Sequence, residues 1–213
     1  EASLRPVSKS EIPALSLLIR EAMDSSLLPN YTVAELEQMK RSFTVAGLTR
    51  KLQGAEAFAA IDTGGALVGV GARVRHESRP TTSRLRILFV ARHAQGKGVG
   101  RALVARLEEC GRAAGDSTIC LGATRAAMPF YRHLGYVVTE QPGPQPPTYL
   151  QMGKHLHAEV RSEQSGDVEQ IREVILDSFQ SLGGGEEEAT LVDRLRCEAS
   201  PYLSLVAEIG GRV

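Results

Sequence analysis

Between residues 85 and 103 the strongly apolar run Leu85-Arg86-Ile87-Leu88-Phe89-Val90 gives way to the glycine-rich stretch Gln95-Gly96-Lys97-Gly98-Val99-Gly100 and then to helix-forming residues from Arg101. A buried strand, a loop able to turn through left-handed backbone and a helix start in direct succession leave few folds open. Glycines let successive N–H groups turn toward one point, and the helix start adds partial positive charge, so such a loop suits a phosphate-type anion. A tight strand-to-helix turn without a ligand would use the same glycines. Two common phosphate loops do not fit. A Walker loop ends in Gly-Lys-Ser/Thr, whereas Gly100 is followed by Arg101-Ala102. The dinucleotide fingerprint needs Gly-x-Gly-x-x-Gly after the first strand of a domain, whereas Gly96-x-Gly98-x-Gly100 follows several earlier strands.

Around this unit the chain reads as an α/β (α+β) domain over residues 1–156. Leu4 to Val7 is strand-like, and Ser10 and Pro13 open a helix whose apolar positions Leu15, Leu18, Ile19, Ala22 and Met23 fall on one face. A second helix is expected from Thr32 to Arg41, after a turn at Pro29-Asn30. Phe58 to Ile61 and Leu67 to Val74 form a hairpin across Asp62-Thr63-Gly64-Gly65. The segment Thr118 to Ala123 is a strand, Ala126 to Leu134 a helix, Tyr136 to Thr139 a strand, and Thr148 to Gly153 a last strand after the turn Gln141 to Pro147.

The run Ile87 to Leu103 closely resembles the acetyl-CoA signature of the GNAT superfamily of N-acetyltransferases, with Gln95, Gly98 and Gly100 at its key positions. Thr124, Ala127 and Tyr131 have the spacing of that family's Asn-x-x-Ala-x-x-x-Tyr element, and Phe130-Tyr131-Arg132-His133-Leu134-Gly135-Tyr136 is similar to its Phe-Tyr-x-x-Leu-Gly-Phe. Thr124 stands where many members have Asn, and Arg92 where many have Pro. The resemblance implies a mixed, mainly antiparallel sheet flanked by helices, with a V-shaped opening between the central parallel strands. It also implies acetyl-CoA as cofactor. The amides of Gln95, Gly96, Lys97, Gly98, Val99, Gly100 and Arg101 would hold the diphosphate, and Leu88, Phe89 and Val90 the pantetheine arm, with Thr124, Ala127 and Tyr131 as further cofactor-binding residues.

Acetyl transfer to an amine needs a neutral amine, donors for the developing oxyanion and an acid for the thiolate. In the family pattern backbone N–H groups near Leu88 to Val90 polarise the thioester, the amine attacks directly, and Tyr131 is the acid. An aromatic on a buried helix face with its hydroxyl satisfied is the bland reading of Tyr131. No base is assigned: Leu85 to Val90 contains no carboxylate, and His76 and Glu77 read as solvated loop residues. Cys110 and Cys120 read as small core fillers, and His155-x-His157 lacks the further ligands of a metal site.

From Ala158 the pattern begins again. Val160-Arg161 aligns with Leu4-Arg5, Val168 with Ile12, and Leu205-Val206-Ala207 before Gly210-Gly211 with Phe58-Ala59-Ala60 before Gly64-Gly65. Residues 157–213 therefore read as the N-terminal half of a second unit of the same type, without its own glycine loop, which would make the chain a shortened tandem acetyltransferase. Lysine plus arginine equal aspartate plus glutamate at 25 each, so no global field favours nucleic acid. No run approaches the length of a membrane span, and three cysteines without paired spacing suit free thiols in the cytoplasm. The expected partner is an amine of a small molecule or protein, chosen by residues 20–50 and loops near 76–84 and 140–148. The competing reading is a non-catalytic acyl-CoA-binding or regulatory module, or a second unit that serves as a homodimer surface.

Overall fold

Alternating small and branched residues make Leu67–Arg75 a strand that can be covered on both faces: Val68, Val70 and Ala72 are all fully buried. The computed structural model describes residues 2–27, 31–139, 149–179, 184–200 and 202–208. The chain divides into two units, Glu1–Leu156 and His157–Val213. In the first, strands β1 (Ser3–Pro6), β2 (Glu56–Ile61), β3 (Leu67–Arg75), β4 (Thr82–Val90), β5 (Thr118–Ala123), β6 (Val137–Val138) and β7 (Leu150–His155) form one sheet in the order β1-β2-β3-β4-β5-β7-β6. Every neighbouring pair is antiparallel except β4 with β5.

Helix α4 (Val99–Ala113) covers one face, burying Leu103, Val104 and Leu107 against Val68, Leu85, Ile119 and Leu121. Gly71 lies beneath it, where an added Cβ would come within 3.0 Å of Leu107, so α4 rides close on β3. Helices α1 (Ile12–Leu27), α2 (Val33–Arg41) and α3 (Val45–Leu52) cover the other face, with Leu15, Ile19, Met23, Leu36 and Leu48 packed on Val70, Ala72 and Ile87. A short helix α5 (Met128–His133) follows β5.

The β3–β4 register slips by one residue: Ala72 faces Ile87, yet Arg73 faces Leu85. Arg86 is the extra residue, and such a bulge bends its strand. At the same place β4 leaves β5, because their parallel pairing covers only Thr82 with Thr118, Ser83 with Ile119 and Arg84 with Cys120. Below the parting a buried polar cluster clamps the closed end. Arg73 reaches Asp116 at 2.9 Å and the Cys110 carbonyl at 2.9 Å, and it bonds Ser83, which in turn donates to Asp116.

In the second unit β8 (Glu159–Ser162) pairs antiparallel with β9 (Leu205–Glu208), beside α6 (Val168–Phe179) and α7 (Glu186–Glu198). A local device occurs in both units. Arg5 forks onto Glu11, which also accepts from the Ser8 amide at 2.8 Å. Likewise Arg161 forks onto Asp167 at 2.6 and 2.9 Å, and Asp167 accepts from the Gln164 amide at 2.8 Å. Strand arginine, cap and acid stand at the same intervals each time.

Several local expectations change. Ser8, with Glu11 as the reciprocal partner of its capping box, opens the helical region, rather than Ser10. Helix α3 was not expected, and the strand foreseen at Tyr136 to Thr139 is only two residues long. The turns at Pro29-Asn30, Gln141 to Pro147 and Gly210-Gly211 lie outside the described residues. Among the described residues no helix is long and apolar enough to cross a membrane.

Candidate active site

The parting of β4 from β5 opens a cleft of about 840 Å³. Its walls carry Leu88, Phe89, Val90 and Gln95 on one side and Leu121 to Thr124, Ala127 and Tyr131 on the other. Which β4 atoms face it follows from strand geometry. The Ala91 amide donates to the Val68 carbonyl of β3 at 2.9 Å. Polar groups of successive strand residues alternate in direction, so those of Phe89 also turn to β3 while those of Leu88 and Val90 turn to the cleft. Gln95 closes back on this edge, its Nε2 donating to the Val90 carbonyl at 3.0 Å. That leaves the amides of Leu88 and Val90 and the Leu88 carbonyl aimed into the cleft where β5 would have paired them. The Phe89 side chain lies on the face that α1 to α3 cover and packs edge-on against Phe43, ring centres 5.3 Å apart.

Beyond Val90 the loop curls under the start of α4. Gly96 and Gly98 have φ of 73° and 80°, a left-handed backbone that costs a side-chain-bearing residue energy. Among the described residues the amides of Gly96, Lys97 and Gly98 donate to no backbone carbonyl, and those of Val99, Gly100 and Arg101 are the first of a helix, which have no intrahelical acceptor. Six N–H groups thus remain for one anion at a helix N-terminus. Gly100 is small for a different reason: a Cβ there would stand 3.2 Å from Phe130 and 3.7 Å from Val90, so the helix start fits tightly against α5. Val99 is buried in the core, while Lys97 and Arg101 are exposed. None of Gly96 to Arg101 lines the cleft itself, which ends at Gln95.

Thr124 accepts a bond from the Ala127 amide through its hydroxyl at 3.3 Å and through its carbonyl at 3.0 Å, which turns the chain from β5 into α5. That turn presents Tyr131. Its ring lies edge-on to Phe130 and Tyr136, and burial pushes its phenol well above the ordinary tyrosine range. The two nearby tyrosines differ in one respect. The Tyr136 hydroxyl donates to Glu108 at 3.1 Å, and Glu108 is held by Lys154 at 3.0 Å. Tyr131 lines the cleft, and among the described residues no hydrogen bond to its hydroxyl is formed.

The other half of the cleft holds Met23 of α1, Met39 of α2, Phe43, Arg50 and Lys51 around α3, Arg84 and Arg86 of β4, Tyr149 just before β7 and Gln151 within it; sequence reasoning pointed there only to the ranges 20–50 and 76–84 and singled out none of these residues. Two arginines two positions apart on a buried strand were the available signal. His76 accepts from the Ser78 amide at 3.3 Å, and neither it nor Glu77 lines the cleft. Cys110, Cys120 and Cys197 are free thiols, and burial raises the Cys120 thiol.

Comparison with known proteins bears on this geometry. Residues 27–145 match the family model described as the acetyltransferase (GNAT) domain. The fold is shared with PaiA N-acetyltransferase from Thermoplasma acidophilum, solved in complex with coenzyme A, at 18% identity and a TM-score of 0.63 over 73% of this chain and 99% of that one. A GCN5-related N-acetyltransferase from Rhodopseudomonas palustris superposes with a TM-score of 0.62 at 19% identity, over 72% of this chain and 95% of that one. A GNAT-family acetyltransferase from Staphylococcus aureus Mu50 gives 0.58 at 15% identity, over 73% and 99%. Among curated proteins none matches the sequence significantly. The open strand edge, together with loop amides and a phenol that have no hydrogen-bond partner among the described residues, fits a cofactor with a diphosphate, an amide-bearing arm and a sulfur. The family model spans more than half of the sequence, and the chain belongs to the GNAT superfamily, as an N-acetyltransferase that uses acetyl-CoA.

Proposed function

We propose that the protein acetylates a primary amine by direct attack within a ternary complex, with Tyr131 as the acid that meets the leaving sulfur. The observation that carries this reading is a buried phenol that forms no hydrogen bond among the described residues, set across the cleft from a strand edge that β5 leaves unpaired. Bound acetyl-CoA supplies an activated acetyl thioester. The amides from Gly96 to Arg101 hold its diphosphate, and Leu88 and Val90 bond its arm as an added strand would. Gln95 steadies the Val90 carbonyl, and the amides on the open edge are placed to stabilise charge developing on the acetyl oxygen. Tyr131 gives its proton to the sulfur and recovers one from water. Among the described lining residues there is no Asp, Glu or His, so the amine enters neutral and loses its second proton to solvent.

A non-catalytic acyl-CoA-binding role would leave the Tyr131 hydroxyl with no task, which counts against it. Free thiols at all three cysteines support a cytoplasmic location. The repeated arginine, cap and acid device supports reading residues 157–213 as the opening elements of a second copy of the same fold.

Release of free thiol from acetyl-CoA across a panel of amines tests the function. Tyr131→Phe should lower kcat by about 10²-fold, the lower end for a lost general acid, with CoA affinity by calorimetry unchanged. Folded protein that takes up no CoA, or a phenylalanine variant as fast as the wild type, would overturn it.

A further inference from the structure

Four cations, Arg50, Lys51, Arg84 and Arg86, line the cleft, and among its described lining residues there is no carboxylate. The whole chain is balanced at 25 basic and 25 acidic residues, so this concentration is local. Elsewhere the buried or half-buried cations Lys40, Arg73, Arg161 and Arg196 are all ion-paired. The cleft cations form no such pair among the described residues. Arg86 is half-buried at the bulge and uses one Nη for the Lys51 carbonyl at 3.4 Å. Lys51 is also half-buried, its Nζ 5.0 Å from the centre of the Phe43 ring. Burial holds the Lys51 ammonium below its ordinary range, and the charges of Arg86 and Arg84 push it further the same way.

These charges stand apart from the diphosphate loop. Arg86 precedes Val90 by four residues and Arg84 by six, about 13 and 20 Å along the strand at ~3.3 Å per residue. They lie on the face that α3 covers, toward the closed end of the V, where the acyl group and the acceptor meet if the arm runs along the open edge. Like charges gathered in a partly dry cleft are costly unless an anion joins them. A guanidinium offers a planar fork suited to a carboxylate or phosphate.

We infer that the acceptor is a small amine that also carries an anionic group, a carboxylate or a phosphate, held by Arg86 and Lys51 with the more exposed Arg50 and Arg84 beside them. This rests on the acetyltransferase reading and names its substrate class. The same field repels diamines and basic protein tails.

The test compares four matched series at rising chain length: ω-amino carboxylates, ω-aminoalkyl phosphates, ω-aminoalcohols and diamines, each acetylated by the full chain. The anionic series should exceed the neutral and cationic ones by at least about tenfold in kcat/KM, one tenfold step being ~1.4 kcal/mol. Whether carboxylate or phosphate leads identifies the anion. Arg86→Gln should remove most of that preference by raising KM for the anionic series. Calorimetry of the ω-amino carboxylates and ω-aminoalkyl phosphates into CoA-saturated protein separates the two readings. Arg86-dependent binding without turnover supports the anion site and sinks the acetyltransferase reading. Turnover of diamines or aminoalcohols at least as fast as the anionic series overturns the anion site and leaves the enzyme standing. Neither binding nor turnover of the anionic series also overturns the anion site.

Discussion

Tyr131 and Tyr136 stand five residues apart, touch ring to ring, and meet different fates because of what surrounds each oxygen. Tyr136 is tied to Glu108. Its replacement by Phe strips a donor from a buried carboxylate and should cost about 1–3 kcal/mol of stability in denaturant titration, while thiol release stays near normal. Tyr131→Phe removes no hydrogen bond among the described residues and should give the reverse, slow turnover in a protein of normal stability. Burial keeps the Tyr131 phenol protonated beyond the ordinary tyrosine range of ~10, so its ionisation should produce no alkaline loss of kcat below about pH 10. With no carboxylate or imidazole on the described walls, kcat/KM should rise with pH toward the amine's own pKa, and a plateau near neutrality would reveal a base. At this scale the sequence was legible where a motif fixes spacing, as at Gln95, Gly98, Thr124 and Tyr131. It was silent on Gln95 bonding Val90 and on the basic residues, whose meaning depends on neighbours remote in sequence.

The strand with the bulge shows why elements were only partly legible. Its alternation reads as one unbroken strand, yet inserting Arg86 between Leu85 and Ile87 shifts register, and nothing in a period-two pattern marks where. Helix α3 was missed because it is eight residues long and holds Gly47, which packs so closely that an added Cβ would lie 2.6 Å from the Ser42 carbonyl oxygen. A glycine inside a short helix argues against helix locally, and the tertiary contact overrides it. The strongly periodic α1 and α4 were readable from spacing alone. At the closed end, Asp116 is fully buried among Arg73 and Ser83, and Arg73 keeps Glu56 as a second partner, so Asp116→Asn should cost about 1.5–3 kcal/mol, the range for a hydrogen bond to a charged group. Thermal unfolding followed by circular dichroism would measure it.

Across the molecule, the two arginine-acid devices make matched contributions to acid stability. Hydrogen bonding from the guanidinium of Arg5 lowers Glu11 to about 2, and that of Arg161 lowers Asp167 to about 2. Both folded values lie below the unfolded values near 4, so the contribution is full above about pH 4 and fades as pH falls toward 2. Glu11→Gln and Asp167→Asn should each flatten the acid limb of the stability curve, read as unfolding midpoint against pH. The two layers of helices and the order of strands were legible from patterning, whereas the V was legible only through family resemblance, since it arises from pairs that fail to form. Only three residue pairs join β4 to β5, so the sheet behaves as two panels stitched at one end, and in the proposed complex the donor's slender arm is the missing thread. A ligand at a hundred times its dissociation constant adds about 2.7 kcal/mol, and here that gain falls on a seam held by three pairs. Leu88 and Val90 amides should then exchange with deuterium more slowly, while Phe89, already sewn to its other neighbour, keeps its rate.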